Sequence, residues 1–250
     1  MIGPIRRFRR WKLNRRPFPQ EWRGYLSEHF ACYRMMPPEW RDRYEHMIRI
    51  FIAERHWIPA AGMVIDDRVK VIIAGAAVRL VLRLGLEYYD RMREIVVYPY
   101  VYKHKDERGM MIFGEAHPWG TVVLSWPAVL HGLANPCDGE NTALHEFAHI
   151  LDRDDGAFNG TPFLHSREDY GPWAEVMARH FELLKLGGPE ELAVLRMYGA
   201  TNPAEFFSVA TEAFFEIPSV MQGQMPELYE VMKKFYGGDP FTYGLCPRRL

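Results

Sequence analysis

Cysteine is scarce in this chain. Cys32, Cys137 and Cys246 form an odd, widely spaced set with no CxxC pair. That argues against a disulfide framework and against a thiolate metal cage, and points to free thiols in a reducing compartment. Long hydrophobic runs are missing too. The longest, residues 69–86, is interrupted by Lys70, Arg79 and Arg83, so no membrane span is expected. The basic N-terminus leads into no apolar stretch of the secretory type, and the expected location is cytoplasmic. Nor does charge of one sign dominate. Thirty-one Lys and Arg stand against 32 Asp and Glu, a net charge of −1, which gives no overall attraction to nucleic acid or to an anionic membrane, and direct nucleic-acid binding is not expected. Internal repeats and low-complexity linkers are likewise lacking. The remainder, 250 residues with 48% hydrophobic and 25% charged content, suits one large domain.

One local departure from this balance is the N-terminus. Residues 1–20 hold Arg6, Arg7, Arg9, Arg10, Lys12, Arg15 and Arg16 with no acidic residue. Interleaved Phe8, Trp11 and Phe18 suit a membrane surface or nucleic acid. For so short a stretch the simpler expectation is a mobile, solvated arm over residues 1–19. Residues 20–250 then form a single domain, helical over 20–90 and carrying its chemistry over 91–250.

That chemistry starts at Asn141-Thr142-Ala143-Leu144-His145-Glu146-Phe147-Ala148-His149-Ile150-Leu151-Asp152, which contains HExxH. On a helix, residues four apart differ by about 40° around the axis, so His145 and His149 share a face. Two neutral imidazoles on one face grip one Zn²⁺, with Glu146 placed beside the open coordination position as a general base. The surroundings support a helix. No Gly or Pro interrupts residues 142–153, Asp138, Asn141 and Thr142 offer capping oxygens upstream, and Gly156 lies beyond the end. The competing reading is a core helix whose histidines only form hydrogen bonds, which requires a partner for two buried imidazoles.

A catalytic site of this type needs a third protein ligand. The metzincin spacing would place a His at position 155, where Asp155 stands, and a Gly at 152, where Asp152 stands. That pattern fails. A Glu on a later helix is the alternative. Asn202 followed by Pro203 reads as an N-cap and first helical residue, which puts Glu205 in the first turn. Glu212, seven residues on, shares nearly the same face and competes with Glu205 as ligand, while Glu205 also reads as an ordinary capping glutamate. Asp152, three residues past His149, is placed either to accept a hydrogen bond from a ligand imidazole or to bond nearby backbone amides.

HExxH together with the downstream Tyr198-x(6)-Glu205-Phe206-Phe207 resembles the MtfA family of zinc metallopeptidases, and the metal-site pattern is also similar to the catalytic domain of anthrax lethal factor. The likeness extends to Gly85-Leu86-Glu87-Tyr88-Tyr89-Asp90 running into Glu94-Ile95-Val96-Val97-Tyr98-Pro99. It also takes in Val122-Val123-Leu124-Ser125-Trp126, residues 145–152 with Gly156, and Asp239-Pro240, so it spans roughly residues 20–241. What the resemblance implies is one Zn²⁺ per chain on His145, His149 and Glu205, Glu146 as base, Tyr198 as an active-site phenol, and Glu212 as a supporting residue behind the ligands. It further implies hydrolysis of a peptide or protein substrate, mainly of aminopeptidase type, and interaction with a glucose-responsive transcriptional repressor. In such a site zinc lowers the pKa of its water toward about 7 and Glu146 takes the proton during attack on the carbonyl. A second reading keeps the fold and assigns it to regulation, as a protein-binding anti-repressor module with a latent zinc site.

The expected fold class is α+β: helices packed around a small mixed sheet, of the zincin-like, gluzincin type that the resemblance implies. Helices are expected over 38–55, 69–84, 172–186, 190–197 and 226–236, besides those carrying HExxH and Glu205. Strands are expected within 57–67, over 94–101, near 110–113 and over 121–126, with a charged loop over 103–109. The run Val122-Val123-Leu124-Ser125-Trp126 is the expected edge strand, free to pair with extended substrate.

Overall fold

A computed structural model describes residues 3–100, 104–105, 111–112, 114–117, 120–152 and 159–242. In chain order the helices are α1 (Pro4–Asn14), α2 (Gln20–His29), α3 (Ala31–Met35), α4 (Pro38–Glu54), α5 (Asp67–Val81), α6 (Trp126–Ala134), α7 (Thr142–Asp152), α8 (Tyr170–Lys185), α9 (Pro189–Val194), α10 (Pro203–Glu216), α11 (Pro218–Gln224) and α12 (Pro226–Phe235). The strands are β1 (His56–Pro59), β2 (Glu94–Tyr98), β3 (His104–Lys105), β4 (Met111–Ile112), β5 (Gly114–His117) and β6 (Thr121–Ser125). The chain is therefore mostly helical with a small sheet, an α+β arrangement. Among the described residues no helix is long and apolar enough to cross a membrane.

The main sheet runs β1-β2-β6-β5. Its first three strands are parallel, with Trp57 opposite Ile95 and Ile95 opposite Val122, and β5 lies antiparallel to β6. This corrects the expected edge strand. Strand β6 sits between β2 and β5, and Val122, Val123, Leu124 and Ser125 are all buried. An unbroken apolar run marks a strand covered on both sides, whereas an edge strand alternates. The edges are β1 and β5, and it is β5 that covers β6; its four residues Gly114-Glu115-Ala116-His117 carry no strand signature. Strands β3 and β4 pair with each other in a separate antiparallel ladder. Of the expected charged loop over 103–109, only His104 and Lys105 fall within the described residues, as β3.

Helix α5 is the central support. Asp66 caps it by accepting from the Val69 amide at 2.9 Å. Every residue from 71 to 82 is buried, and a helix apolar all round belongs inside the core. It is followed by a 3₁₀ turn, Leu86–Tyr89, that delivers the Tyr89 ring to the aromatic cluster beneath α7. There Phe51, Tyr89 and Phe147 meet with ring centroids 5.7–6.0 Å apart. On the other side of the core Trp173, Phe207 and Phe235 pack together, tying α8, α10 and α12.

The basic N-terminal segment departs from the expected solvated arm. Residues 4–14 form α1, held to the body by polar contacts. Arg6 and Arg10 both donate to the Glu54 carboxylate, and Arg6 also pairs with Asp90. Arg49 donates to the carbonyls of Leu13, Arg16 and Pro17. The two arginines outweigh the cost of burial at Glu54 and hold its pKa down to about 2.

The packing of α5 yields a stability test. A Cβ at Gly75 would stand 2.7 Å from the Phe30 ring and 3.2 Å from the Tyr44 hydroxyl, which itself donates to the Gly75 carbonyl. Alanine gains about 1 kcal/mol in helix propensity, but forcing a buried ring aside costs about 1–3 kcal/mol. Gly75→Ala is therefore expected to lower the urea midpoint; a raised midpoint would mean that the propensity gain prevails.

Candidate metal centre

The geometry of the site begins with one asparagine. Asn141 caps α7: its side-chain oxygen accepts from the Leu144 amide at 3.1 Å and its carbonyl accepts from the His145 amide at 2.9 Å. Its remaining donors reach α10. The Asn141 backbone amide donates to Glu212 and its side-chain amide donates to Glu216. A cap thus also fixes the rotation of α7 against α10. From Ala143 to Asp152 every residue of α7 is buried, and His145 and His149 keep only 7% and 8% exposure.

Glu205 is positioned by its own cap. Asn202 accepts from the Glu205 amide at 3.0 Å, so the capping role expected of this turn is present. The Glu205 carboxylate nevertheless points into the site. The start of α10 is seated against Gly160 (φ 75°), where a Cβ would lie 2.4 Å from the Pro203 carbonyl. A left-handed glycine is needed there both for conformation and for space.

Three potential ligand atoms converge. His145 Nε2 lies 2.9 Å from Glu205 Oε2, His149 Nε2 lies 3.3 Å from the same oxygen, and the two imidazole nitrogens are 3.2 Å apart. In a tetrahedral site with metal–ligand bonds near 2.0–2.1 Å, ligand atoms stand about 3.3 Å apart. The triangle therefore fits a first-row divalent cation. The tautomer fits as well. His145 Nδ1 faces Glu212 Oε1 at 2.8 Å, and an ionised carboxylate only accepts, so the proton sits on Nδ1 and the Nε2 lone pair is left for the cation. Burial would push the His145 imidazole down, but Glu212 first, then Glu205 and Glu146, raise its pKa to about 10. The negative field that raises this pKa also favours a divalent cation, which takes the place of the Nε2 proton while Nδ1–H stays on Glu212.

The two candidate glutamates thus stand on opposite sides of one ring. Helical spacing placed Glu205 and Glu212 on one face of α10, and their separation of about 10 Å along the axis lets them bracket His145. Glu212 is fully buried and meets three donors: His145 Nδ1, the Asn141 amide and Arg196 at 2.5 Å. Asp152 is fully buried, but no hydrogen bond joins it to His149, whose Nδ1 has no partner among the described residues. Glu146 is buried at 5% exposure, and its charge acts on both His145 and Tyr198. Tyr198 lies in the 3₁₀ turn Met197–Ala200 with its ring centroid 5.8 Å from that of His145. Burial first, then the charges of Glu205 and Glu146, raise the phenol well above its ordinary pKa, so it keeps its proton as a donor.

Two participants escaped the sequence reading. Arg196 gives no local signal. Glu216 did leave one, since Glu205, Glu212 and Glu216 form an acidic row at helical spacing on an otherwise apolar helix. Buried Glu216 accepts from Asn141 and lies 3.8 Å from Arg79. Burial outweighs both partners and raises its pKa to about 7.

The family model described as glucose-regulated metallo-peptidase M90 matches residues 5–237. The chain belongs to the M90 metallopeptidase family. Similar proteins include an uncharacterized protein of Synechocystis, 34% identical over 93% of this chain and 89% of its own length. Mlc titration factor A of Cronobacter sakazakii is 28% identical over 92% of this chain and 91% of its own length. The corresponding protein of Serratia proteamaculans is 30% identical over 76% and 77%. The resemblance read from the motifs to the MtfA family holds, and this M90 chain is a metallopeptidase with a candidate metal site at His145, His149 and Glu205.

The two glutamates should separate in metal binding. Glu205→Ala removes one of three converging atoms and is expected to abolish stoichiometric metal. Glu212→Gln leaves them in place but mismatches three donors, and is expected to weaken affinity by about 10–100-fold. Metal content after gel filtration, followed by chelator competition, checks both. Equal losses would remove the distinction.

Proposed function

We propose that this protein is a zinc-dependent peptidase of zincin-like fold in which His145, His149 and Glu205 hold the ion and Glu146 and Tyr198 perform the proton and charge chemistry. The observation that carries this reading is the triangle of ligand atoms backed by Glu212 on the far side of His145. Two imidazoles and one carboxylate in tetrahedral disposition suit zinc above harder cations. When bound, zinc supplies the Lewis acidity that makes water deprotonatable near pH 7, about the value needed for attack on an amide.

The chain's own residues do the rest. Glu146 follows His145 directly on α7 and accepts the proton of the attacking water. The same carboxyl then delivers it to the departing amine, so the proton is conserved through the cycle. The phenol of Tyr198 donates to the carbonyl oxygen as negative charge grows there. Glu212 fixes the His145 tautomer throughout. Strand β5 supplies the remaining element. It lies against α7 at the end of the main sheet, and its outer edge has no paired strand among the described residues. An extended peptide added to this edge is held by main-chain hydrogen bonds, which bind with little sequence preference.

Aminopeptidase-type cleavage is the finer part of this reading, and it rests on the family resemblance. Peptides with free and acetylated N-termini separate it from internal cleavage. The relatives named Mlc titration factor A favour a compatible second role, in which a protein partner, a transcriptional repressor, binds the surface. A pure binding module keeps its partner without turnover.

Glu146→Gln decides the mechanism. It is expected to retain one zinc per chain and to lose hydrolysis of unstructured peptides by at least about a hundredfold, the contribution typical of a general base. A chelator such as phenanthroline should abolish wild-type turnover, with recovery on adding zinc. Full metal-dependent activity in Glu146→Gln would sink this assignment.

A further inference from the structure

Helix α1 is amphipathic in the reverse sense. A surface helix ordinarily buries its apolar face and presents its charges to water. Here Arg6 and Arg10 turn toward the body and engage Glu54 and Asp90, while Ile5, Phe8 and Trp11 are 76%, 61% and 53% exposed. Spaced three apart, these apolar residues form an exposed stripe, with the Phe8 and Trp11 rings stacked at 5.6 Å. No residue of α1 is buried. The stripe is flanked by cations: Arg7, Arg9, Lys12, Arg15 and Arg16 have no carboxylate partner among the described residues, and Arg15 lies over the Trp11 ring.

Beside α1 opens a groove of about 1100 Å³, with Ile5, Phe8, Arg9 and Lys12 on the helix side and Glu54, Asp90 and Arg93 on the body side. Arg55 is turned inward, its Nη1 donating to the Glu54 carbonyl at 3.2 Å and its guanidinium lying over the Phe51 ring, so the accessible cations are those of α1.

We propose that α1 and this groove form a docking surface for an anionic phospholipid membrane. Ile5, Phe8 and Trp11 enter the headgroup–acyl boundary, and the flanking cations Arg7, Arg9, Lys12, Arg15 and Arg16 receive lipid phosphates. Cations flanking an apolar stripe complement such a surface. Nucleic acid accounts for the cations and for stacking rings but gives no role to exposed Ile5. The inference stands apart from the metal site and does not depend on its chemistry.

Co-sedimentation of the full-length protein with vesicles is the test. One set is phosphatidylcholine alone, and another contains about one-third phosphatidylserine, at near-physiological salt. Binding is expected only to the anionic vesicles. Phe8→Ser with Trp11→Ser should reduce partitioning by about tenfold or more, and Arg9→Gln with Lys12→Gln by a similar factor. Unchanged thermal midpoints and metal content show that both variants remain folded. Absence of binding to anionic vesicles overturns the proposal. So does binding that ignores Phe8 and Trp11, or tight binding of a single-stranded RNA oligonucleotide with none to vesicles.

Discussion

The hydrogen bond between His145 and Glu212 is the contact on which the arrangement of α7 and α10 turns. It joins the two helices that carry the candidate ligands, through a carboxylate with no exposure to water. An isolated carboxylate in that position would cost several kcal/mol, which only close donors offset. Glu212 has three, and each comes from a different place: the cap of α7, an imidazole one turn further on, and Arg196 before α10. A rotation of either helix that moved the ligand atoms apart would also strip donors from Glu212. The electrostatic requirement and the coordination geometry therefore enforce each other.

The same residues serve capping and site construction. Asn141 uses four hydrogen-bonding groups at once, two for α7 and two for α10. Asn202 and Gly160 fix the first turn of α10 from outside, while Arg79 on α5 donates to the Phe215 carbonyl at its far end. Beneath them the Phe51, Tyr89 and Phe147 rings hold α7 from below. Metal sites built on helices whose rotamers are locked in this way keep their ligands within a few tenths of an ångström, whereas sites on loops do not.

The helices that carry chemistry were legible because their signals are local. HExxH declares a shared face through spacing alone, and Asn202-Pro203 announces where α10 begins. What spacing did not resolve was Glu205 against Glu212, because both sit on one face and the difference lies in which side of the His145 ring each meets. That is a tertiary fact. The strand order was misread for a related reason. Val122-Val123-Leu124 reads as a strand from composition, but its place in the sheet depends on Gly114-Glu115-Ala116-His117, a stretch with no β-branched residue. Arg196 was invisible because it lies outside any helix and its partner is sixteen residues away on α10. The N-terminal segment was misjudged because its cations were counted without Glu54 and Asp90.

That last case bears on what the fold leaves undone. Burying side chains such as those of Ile5, Phe8 and Trp11 would contribute about 1.5–3 kcal/mol each, several kcal/mol in all against a typical net stability of 5–15 kcal/mol. Helix α1 forgoes this and is held instead by ion pairs of Arg6 and Arg10, whose contribution is smaller and weakens with salt. A helix governed by stability alone would turn over, placing its aromatic stripe against the body and its arginines in water. The carboxylates of Glu54 and Asp90 prevent that turn, since they would lose their partners. The orientation of α1 is thus set by Glu54 and Asp90 of the body, with Arg49 holding its C-terminal end, at a cost in hydrophobic burial.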